Sequence, residues 1–208
     1  MKLTIIIPVY NQEHLIIKAL DSIPNRKDIE VIVVDDHSTD STVRSVEKWY
    51  EYTRPQFDMI LLKNTKRIGC GRARNRALDI MTGDYIFCLD ADDYLYTEKF
   101  EEAMEMLDAD IVYIDLEIND GTVMELREET KFGYCSFIDK FIRTSFWGKS
   151  RFNDAKAGSD YPLNAELQNK PHTDRFTHIV AYHYNFPRTG SNYNLLVTGK
   201  LDEIEYED

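Results

Sequence analysis

Cysteine is scarce in this 208-residue chain. Cys70, Cys88 and Cys135 are too few and too scattered for a disulfide framework, and they read as reduced thiols. Long apolar runs are missing too. The opening MKLTIIIPVY is strongly apolar only from Ile5 to Ile7 before Pro8 intervenes, far short of a signal peptide or a membrane span. A cytoplasmic location is therefore expected. Aromatic and basic residues from Phe141 to Arg151 leave room for peripheral contact at the inner face of a membrane, although no long amphipathic anchor accompanies them. Positive charge is in deficit: 25 Lys and Arg face 37 Asp and Glu, for a formal net charge of −12. That balance disfavours nucleic acid as a partner, because phosphate backbones are held by clustered cations. The five histidines and three cysteines show no zinc-ligand spacing. No internal repeat or low-complexity linker divides the chain. One domain over residues 1–200 is expected, followed by an acidic tail, LDEIEYED, at 201–208.

Core-forming material is plentiful. At 43% hydrophobic and 12% aromatic residues, a chain of this length has ample apolar surface to bury. β-branched runs of strand length, LTIIIPV (3–9), EVIVVDD (30–36), DMILLKN (58–64) and YIFCL (85–89), alternate with helix-patterned segments. Leu15, Ile16, Ala19, Leu20 and Ile23 form the first such stripe, with Asn25 as its terminator. Val43, Val46, Trp49 and Tyr50 form the second, and CGRARNRALDIMTGD the third, stopped by Gly83. A helix over Thr97–Leu107 and a strand, ADIVYIDLEI, follow. This alternation predicts an α/β fold with a mostly parallel central sheet flanked by helices. Beyond a hairpin turn at Asn119-Asp120-Gly121 the pattern loosens into a smaller C-terminal elaboration. It comprises a helix around Tyr134 to Thr144, a short helix from Asp160, and a strand, HIVAYHYNF.

Two acidic clusters, Asp35/Asp36 and Asp90, Asp92, Asp93, fall at carboxyl ends of strands. In an open parallel sheet those ends share the edge where ligands bind, so clusters far apart in sequence converge. Asp-x-Asp suits a hard divalent cation such as Mg²⁺ or Mn²⁺, which takes one or two protein carboxylates and completes its shell with water and phosphate oxygens. The competing reading is a solvated loop whose Asp93 caps the next helix. From Lys63 to Arg76 the chain carries Lys63, Lys66, Arg67, Arg72, Arg74 and Arg76 and no acid, a setting for a diphosphate or a solvated basic helix face. Gly69-Cys70-Gly71 lacks the third glycine of a dinucleotide fingerprint.

Taken in order, TIIIPVYNQEHLIIKALDSI, EVIVVDDHSTDST and NTKRIGCGRARNRALDIMTGDYIFCLDADD resemble the family 2 glycosyltransferases of the GT-A fold. The resemblance covers roughly the first half of the chain, and it implies an inverting transfer of a hexosyl or N-acetylhexosaminyl group. The donor would be a nucleotide sugar, a UDP-sugar first among them, and the acceptor a glycan or lipid-linked glycan. Residues 1–95 would bind the donor and 96–200 the acceptor. Pro8 and Tyr10 would line the nucleotide pocket and Asp36 would accept a hydrogen bond from the base. Arg74 would serve the donor side, Asp90 would contact ribose or donor sugar, and Asp92, with Asp90, would hold Mn²⁺ or Mg²⁺. The general base falls on Asp160 in AGSDYPLNAEL, where Ser159 replaces the usual Glu; Asp154 and Glu166 are rivals, and a helix N-cap is the plainer role for Asp160. Trp147 in FWGK reads as an acceptor wall or a buried anchor. In YHYNFPRTGSNYN, Arg188 and Ser191 would grip the diphosphate, with Asn185 standing where the family's Arg usually follows the aromatics. His183 is a metal ligand or a packed strand histidine.

Two other chemistries fit less well. A phosphatase places its Asp-x-Asp after the first strand, not the fourth, and a nucleotidyltransferase needs a glycine-rich, Arg-containing loop after the opening strand. A noncatalytic nucleotide-sugar or glycan-binding module on the same fold stays open, given Ser159.

Overall fold

The computed structural model describes residues 1–129, 136–155 and 158–187. Its frame is one sheet in the order β3-β2-β1-β4-β8-β6-β9-β5, with β7 paired to β6. β1 (Leu3–Val9) and β2 (Ile29–Asp35) are buried along their whole length, as strands covered on both faces must be. β1 pairs in parallel with β2 and with β4 (Tyr85–Cys88), and β2 with β3 (Asp58–Lys63). The register sets Val9 beside Asp35 and Ile6 beside Cys88, so the three carboxyl ends open on one edge.

Helices α1 (Ile16–Asp21), α2 (Thr42–Thr53), α3 (Cys70–Leu78) and α4 (Thr97–Met104) connect or follow these strands. α3 ends at Leu78, short of Gly83. Gly83 is needed for a different reason. A Cβ there would lie 2.6 Å from the Thr4 backbone nitrogen, so only glycine lets the 79–84 turn press onto β1. Gly83→Ala is expected to cost about 1–3 kcal/mol by overpacking. At roughly 2–4 °C per kcal/mol for a chain of this size, calorimetry should record the loss as a clear fall in Tm. An unchanged Tm would mean that the turn relaxes freely. Asn25 is likewise no helix terminator; Ser22 ends α1, and the Asn25 amide oxygen accepts from the Gln56 N–H at 2.6 Å.

The second half departs from simple alternation. β6 (Ile111–Ile118) turns through Asn119-Asp120-Gly121 into β7 (Val123–Met124), the expected hairpin. The helix expected around Tyr134 to Thr144 lies partly outside the described residues; within them, residues 140–143 form a strand, β8 (Lys140–Arg143), followed by a single turn, α5 (Thr144–Trp147). β8 inserts antiparallel between β4 and β6. Two open strand edges offer its backbone a full set of hydrogen bonds, and that outweighs local pattern. β9 (Asp174–Tyr184) then lies parallel to β6, and β5 (Tyr94–Leu95) pairs antiparallel to β9. Six of the described strands thus run one way, β5, β7 and β8 the other. Phe87, Phe100 and Phe141 meet at centroid distances of 4.8 to 5.0 Å under β4 and β8. A second aromatic cluster, Phe137, Trp147 and Phe152, supports the approach to α6 (Asp160–Gln168). Among the described residues no helix is long and apolar enough to cross a membrane.

Candidate active site

At the carboxyl edge of the sheet the loops that follow β1, β2 and β3 are tied to one another. Asn11, after β1, accepts from the Thr39 N–H through Oδ1 at 2.8 Å and donates its own N–H to Ser38 Oγ at 3.0 Å. Asp36, at the tip of β2, is buried; its Oδ1 accepts from Asn64 Nδ2 and the Ile68 N–H at 2.7 and 2.8 Å, its Oδ2 from the Gly69 N–H at 2.7 Å. Asn64 in turn accepts from Arg76 Nη1. The carboxylate therefore organises the 64–69 loop at the carboxyl edge of the sheet, a role its spacing does not reveal. Pro8 is buried within β1, whereas Tyr10 stands half-exposed at the edge, its ring 3.9 Å beneath the Arg67 guanidinium.

Burial alternates along the acidic stretch: Asp90, Asp92 and Tyr94 are half-exposed, while Ala91, Asp93 and Leu95 are buried. That alternation sorts the three carboxylates. Asp93 faces inward, where its Oδ2 accepts from Tyr182 Oη at 2.5 Å and its Oδ1 from the Asn185 N–H at 2.8 Å. Burial pushes its pKa well above the carboxylate range, the charges of Asp90 and Asp92 add to the shift, and the two hydrogen bonds oppose it. Tyr182 also accepts the Asp90 N–H at 3.2 Å, so Asp93 and Tyr182 together hold the loop's shape. Tyr182 is a site residue that no motif signals; its place in a run of strand aromatics looks like ordinary core.

α3 brings in the second half of the site through one face. A Cβ at Gly71 would lie 2.8 Å from the Asn153 carbonyl and 3.2 Å from Ser159 Cβ, so the missing side chain admits the 152–159 segment. One turn on, Asn75 pairs with the Phe152 backbone in both directions, Nδ2 to the carbonyl at 2.8 Å and the Phe152 N–H to Oδ1 at 2.9 Å. Between them Arg74, buried, donates from Nη2 to Asp90 Oδ1 at 2.7 Å and from Nη1 to Asp160 Oδ1 at 2.8 Å. One guanidinium joins a carboxylate at the tip of β4 to another on the first turn of α6. The Asp160 side chain remains 23% exposed. Burial raises its pKa; Arg74 pulls it back down, Asp90 pushes it up, and Ser159 Oγ donates to Oδ1 at 3.3 Å.

The rivals stand apart from this junction. Asp154 is held by Arg72 through two bonds of 2.7 Å, which depress its pKa. Glu166 accepts from Ser150 Oγ and pairs with Lys170 at 2.9 Å. Trp147 is fully buried, donating Nε1–H to the Ser150 carbonyl at 2.9 Å, so it is an anchor and not an acceptor wall. His183 stacks on Tyr94 at 4.3 Å, and burial lowers its pKa. Arg188, Ser191 and Cys135 lie outside the described residues. Among those described, no three of His, Cys, Asp and Glu gather to hold a metal ion. A divalent cation here would draw on one or two carboxylates, Asp92 and Asp90, and on substrate oxygens, which is the donor set Mg²⁺ and Mn²⁺ accept.

The curled, mostly parallel sheet with its ligand edge at the ends of β1, β2 and β4 is a GT-A fold. Residues 4–158 match the sequence profile of glycosyl transferase family 2, and the chain belongs to that family. It is 41% identical over 103 residues to a poly(ribitol-phosphate) beta-glucosyltransferase of Bacillus spizizenii, a match over 47% of this chain and 16% of that one. It is 34% identical over 210 residues to chondroitin synthase of Escherichia coli, covering 92% of this chain and 30% of that one. Staphylococcus aureus TarS in complex with UDP-GlcNAc superposes with a TM-score of 0.77 at 25% identity, covering 92% of this chain and 60% of that structure. The chain thus spans under a third of the length of either curated relative.

Proposed function

We propose that this chain transfers a hexosyl or N-acetylhexosaminyl unit from a UDP-sugar to a hydroxyl of a glycan or lipid-linked glycan, with inversion at the anomeric carbon. The observation that carries the reading is the Arg74 junction, which sets Asp90 at the donor loop and Asp160 on α6 against a single side chain. In this reading Tyr10 and Asp36 bound the nucleotide pocket and Asp90 contacts ribose or donor sugar. Asp160 takes the proton from the acceptor hydroxyl as its oxygen attacks C1; the C1–O bond to the diphosphate breaks, and the nucleoside diphosphate leaves. Asp92, with Asp90, would hold Mn²⁺ or Mg²⁺, whose charge offsets the negative charge gathering on the leaving diphosphate. The UDP-GlcNAc bound by TarS supports a uridine donor. The poly(ribitol-phosphate) named for the Bacillus relative supports a polymeric, hydroxyl-bearing acceptor.

A thermal-shift panel of nucleoside diphosphates with Mn²⁺ tests the donor site. Ligand at a hundred times its Kd stabilises the folded state by about 2.7 kcal/mol. UDP should therefore raise Tm by roughly 5–10 °C at the slope expected for this size. A chelator, or Asp92→Ala, should remove the Mn²⁺-dependent part. No shift with any nucleoside diphosphate would sink the donor assignment. A clear UDP shift without turnover on any acceptor would favour the noncatalytic module, for which Ser159 is the specific sign.

A further inference from the structure

One buried cation stands behind the Arg74 junction, and its charge also pulls the Asp160 pKa down. Lys140 opens β8 and is 1% exposed. Its Nζ donates to Asn164 Oδ1 at 3.1 Å and lies 3.2 Å from Asp139 Oδ1, between the rings of Tyr113 and Phe137 at 5.3 and 5.6 Å. Asp139 is fully buried as well. Desolvating two charges commonly costs more than their attraction returns, and apolar residues of similar volume would hold a fold as well or better. Stability alone gives no reason for the pair.

Its placement does. β8 runs antiparallel to β4, with Tyr85 opposite Arg143 and Ile86 opposite Ile142, so Lys140 lies at the end of β8 nearest the carboxyl end of β4, where Asp90 emerges. Asn164 is buried on α6, four residues and about one turn beyond Asp160, and residues so spaced share a helix face. The face of α6 that presents Asp160 to Arg74 is therefore the face that Lys140 grips from below.

We infer that Lys140 is a positioning residue for transfer: its buried ammonium, bound to Asn164, fixes the rotation and depth of α6 and thereby where Asp160 stands relative to Asp90. It touches no substrate. The inference rests on the transferase reading, in which Asp160 is the base. The donor pocket lies on β1, β2, β4 and α3, elements that Lys140 does not hold through Asn164, so its loss separates turnover from donor binding.

The test uses Lys140→Met, Asn164→Leu and Asn164→Asp in the full chain, with UDP-sugar turnover, UDP affinity by calorimetry, and deuterium exchange over residues 160–168. Misplacing a catalytic group by an ångström costs on the order of 100-fold. Lys140→Met and Asn164→Leu should lose kcat on that scale while UDP affinity holds and exchange over 160–168 rises; Asn164→Leu keeps the Lys140 charge that acts on Asp160, so its loss reports position alone. Asn164→Asp keeps the acceptor oxygen for Lys140 and should hold exchange over 160–168 near the parent's; its added carboxylate one turn from Asp160 moves the acid limb up, so its kcat should match the parent's only on the alkaline plateau. Exchange in α6 unchanged in both disruptive variants would overturn the inference, and so would a kcat close to the parent's. A parent that turns over no nucleotide sugar would defeat the transferase reading alone, and the exchange comparison would still decide whether Lys140 anchors α6.

Discussion

Asp160→Asn should cut transfer by about 10²–10⁴-fold, the range a positioned general base contributes, while UDP affinity stays at the parent's level. The substitution keeps the size of the side chain and an acceptor oxygen for Arg74 Nη1, so the junction at 2.8 Å survives and only the proton acceptor is lost. As the proposed base, the same carboxyl should also govern the pH profile. Burial lifts its pKa above the ordinary carboxylate value, and transfer needs it ionised, so the acid limb of kcat should fall at a higher pH than an unperturbed aspartate would set. Turnover by Asp160→Asn comparable to the parent's would return the base role to another group, and Asp154→Asn and Glu166→Gln would be the controls.

Arg74→Met is the second large effect, and it acts on fold and chemistry together. Removing one partner from a buried ion pair costs about 3–5 kcal/mol. Asp90 and Asp160 are 32% and 23% exposed, so water recovers part of the loss and the lower end is expected. The sign for activity follows from the charges around Asp160. Arg74 holds its pKa down against burial and against Asp90. Without the guanidinium that pKa climbs, less base is ionised at neutral pH, and the acid limb moves further up. Arg74→Lys should recover little, because one ammonium cannot donate to both carboxylates with the geometry of a guanidinium fork. An acid limb that stays in place in Arg74→Met would show that Asp160 does not feel Arg74 in solution.

The carboxyl edge of the sheet was legible in the sequence for a physical reason. β1 and β2 are buried on both faces, so each is a continuous β-branched run, and the carboxylates just past β2 and β4 mark the ligand edge of a parallel sheet. β8 hid because Phe137, Ile138, Phe141 and Ile142 recur at offsets of one and four residues, which imitates a helix face, while all four are buried. The Arg74–Asp160 contact spans 86 positions and depends on a side chain that is absent, at Gly71. The place of Asp36 at the carboxyl end of a strand was readable, but its grip on Asn64, Ile68 and Gly69 was not, since backbone N–H partners leave no trace in residue identity.

The insertion of β8 between β4 and β6 also orders events on the ribosome. Once residues 1–95 have emerged, β1 to β4 can pair with one another, yet one side of β4 then faces solvent with its N–H and C=O groups unpaired. That exposed edge can template pairing with another nascent chain. It closes only when Lys140–Arg143 emerges and slots in, so the β1–β4 sheet stays vulnerable until some 50 further residues have been synthesised, at typical rates of about 5–20 residues per second.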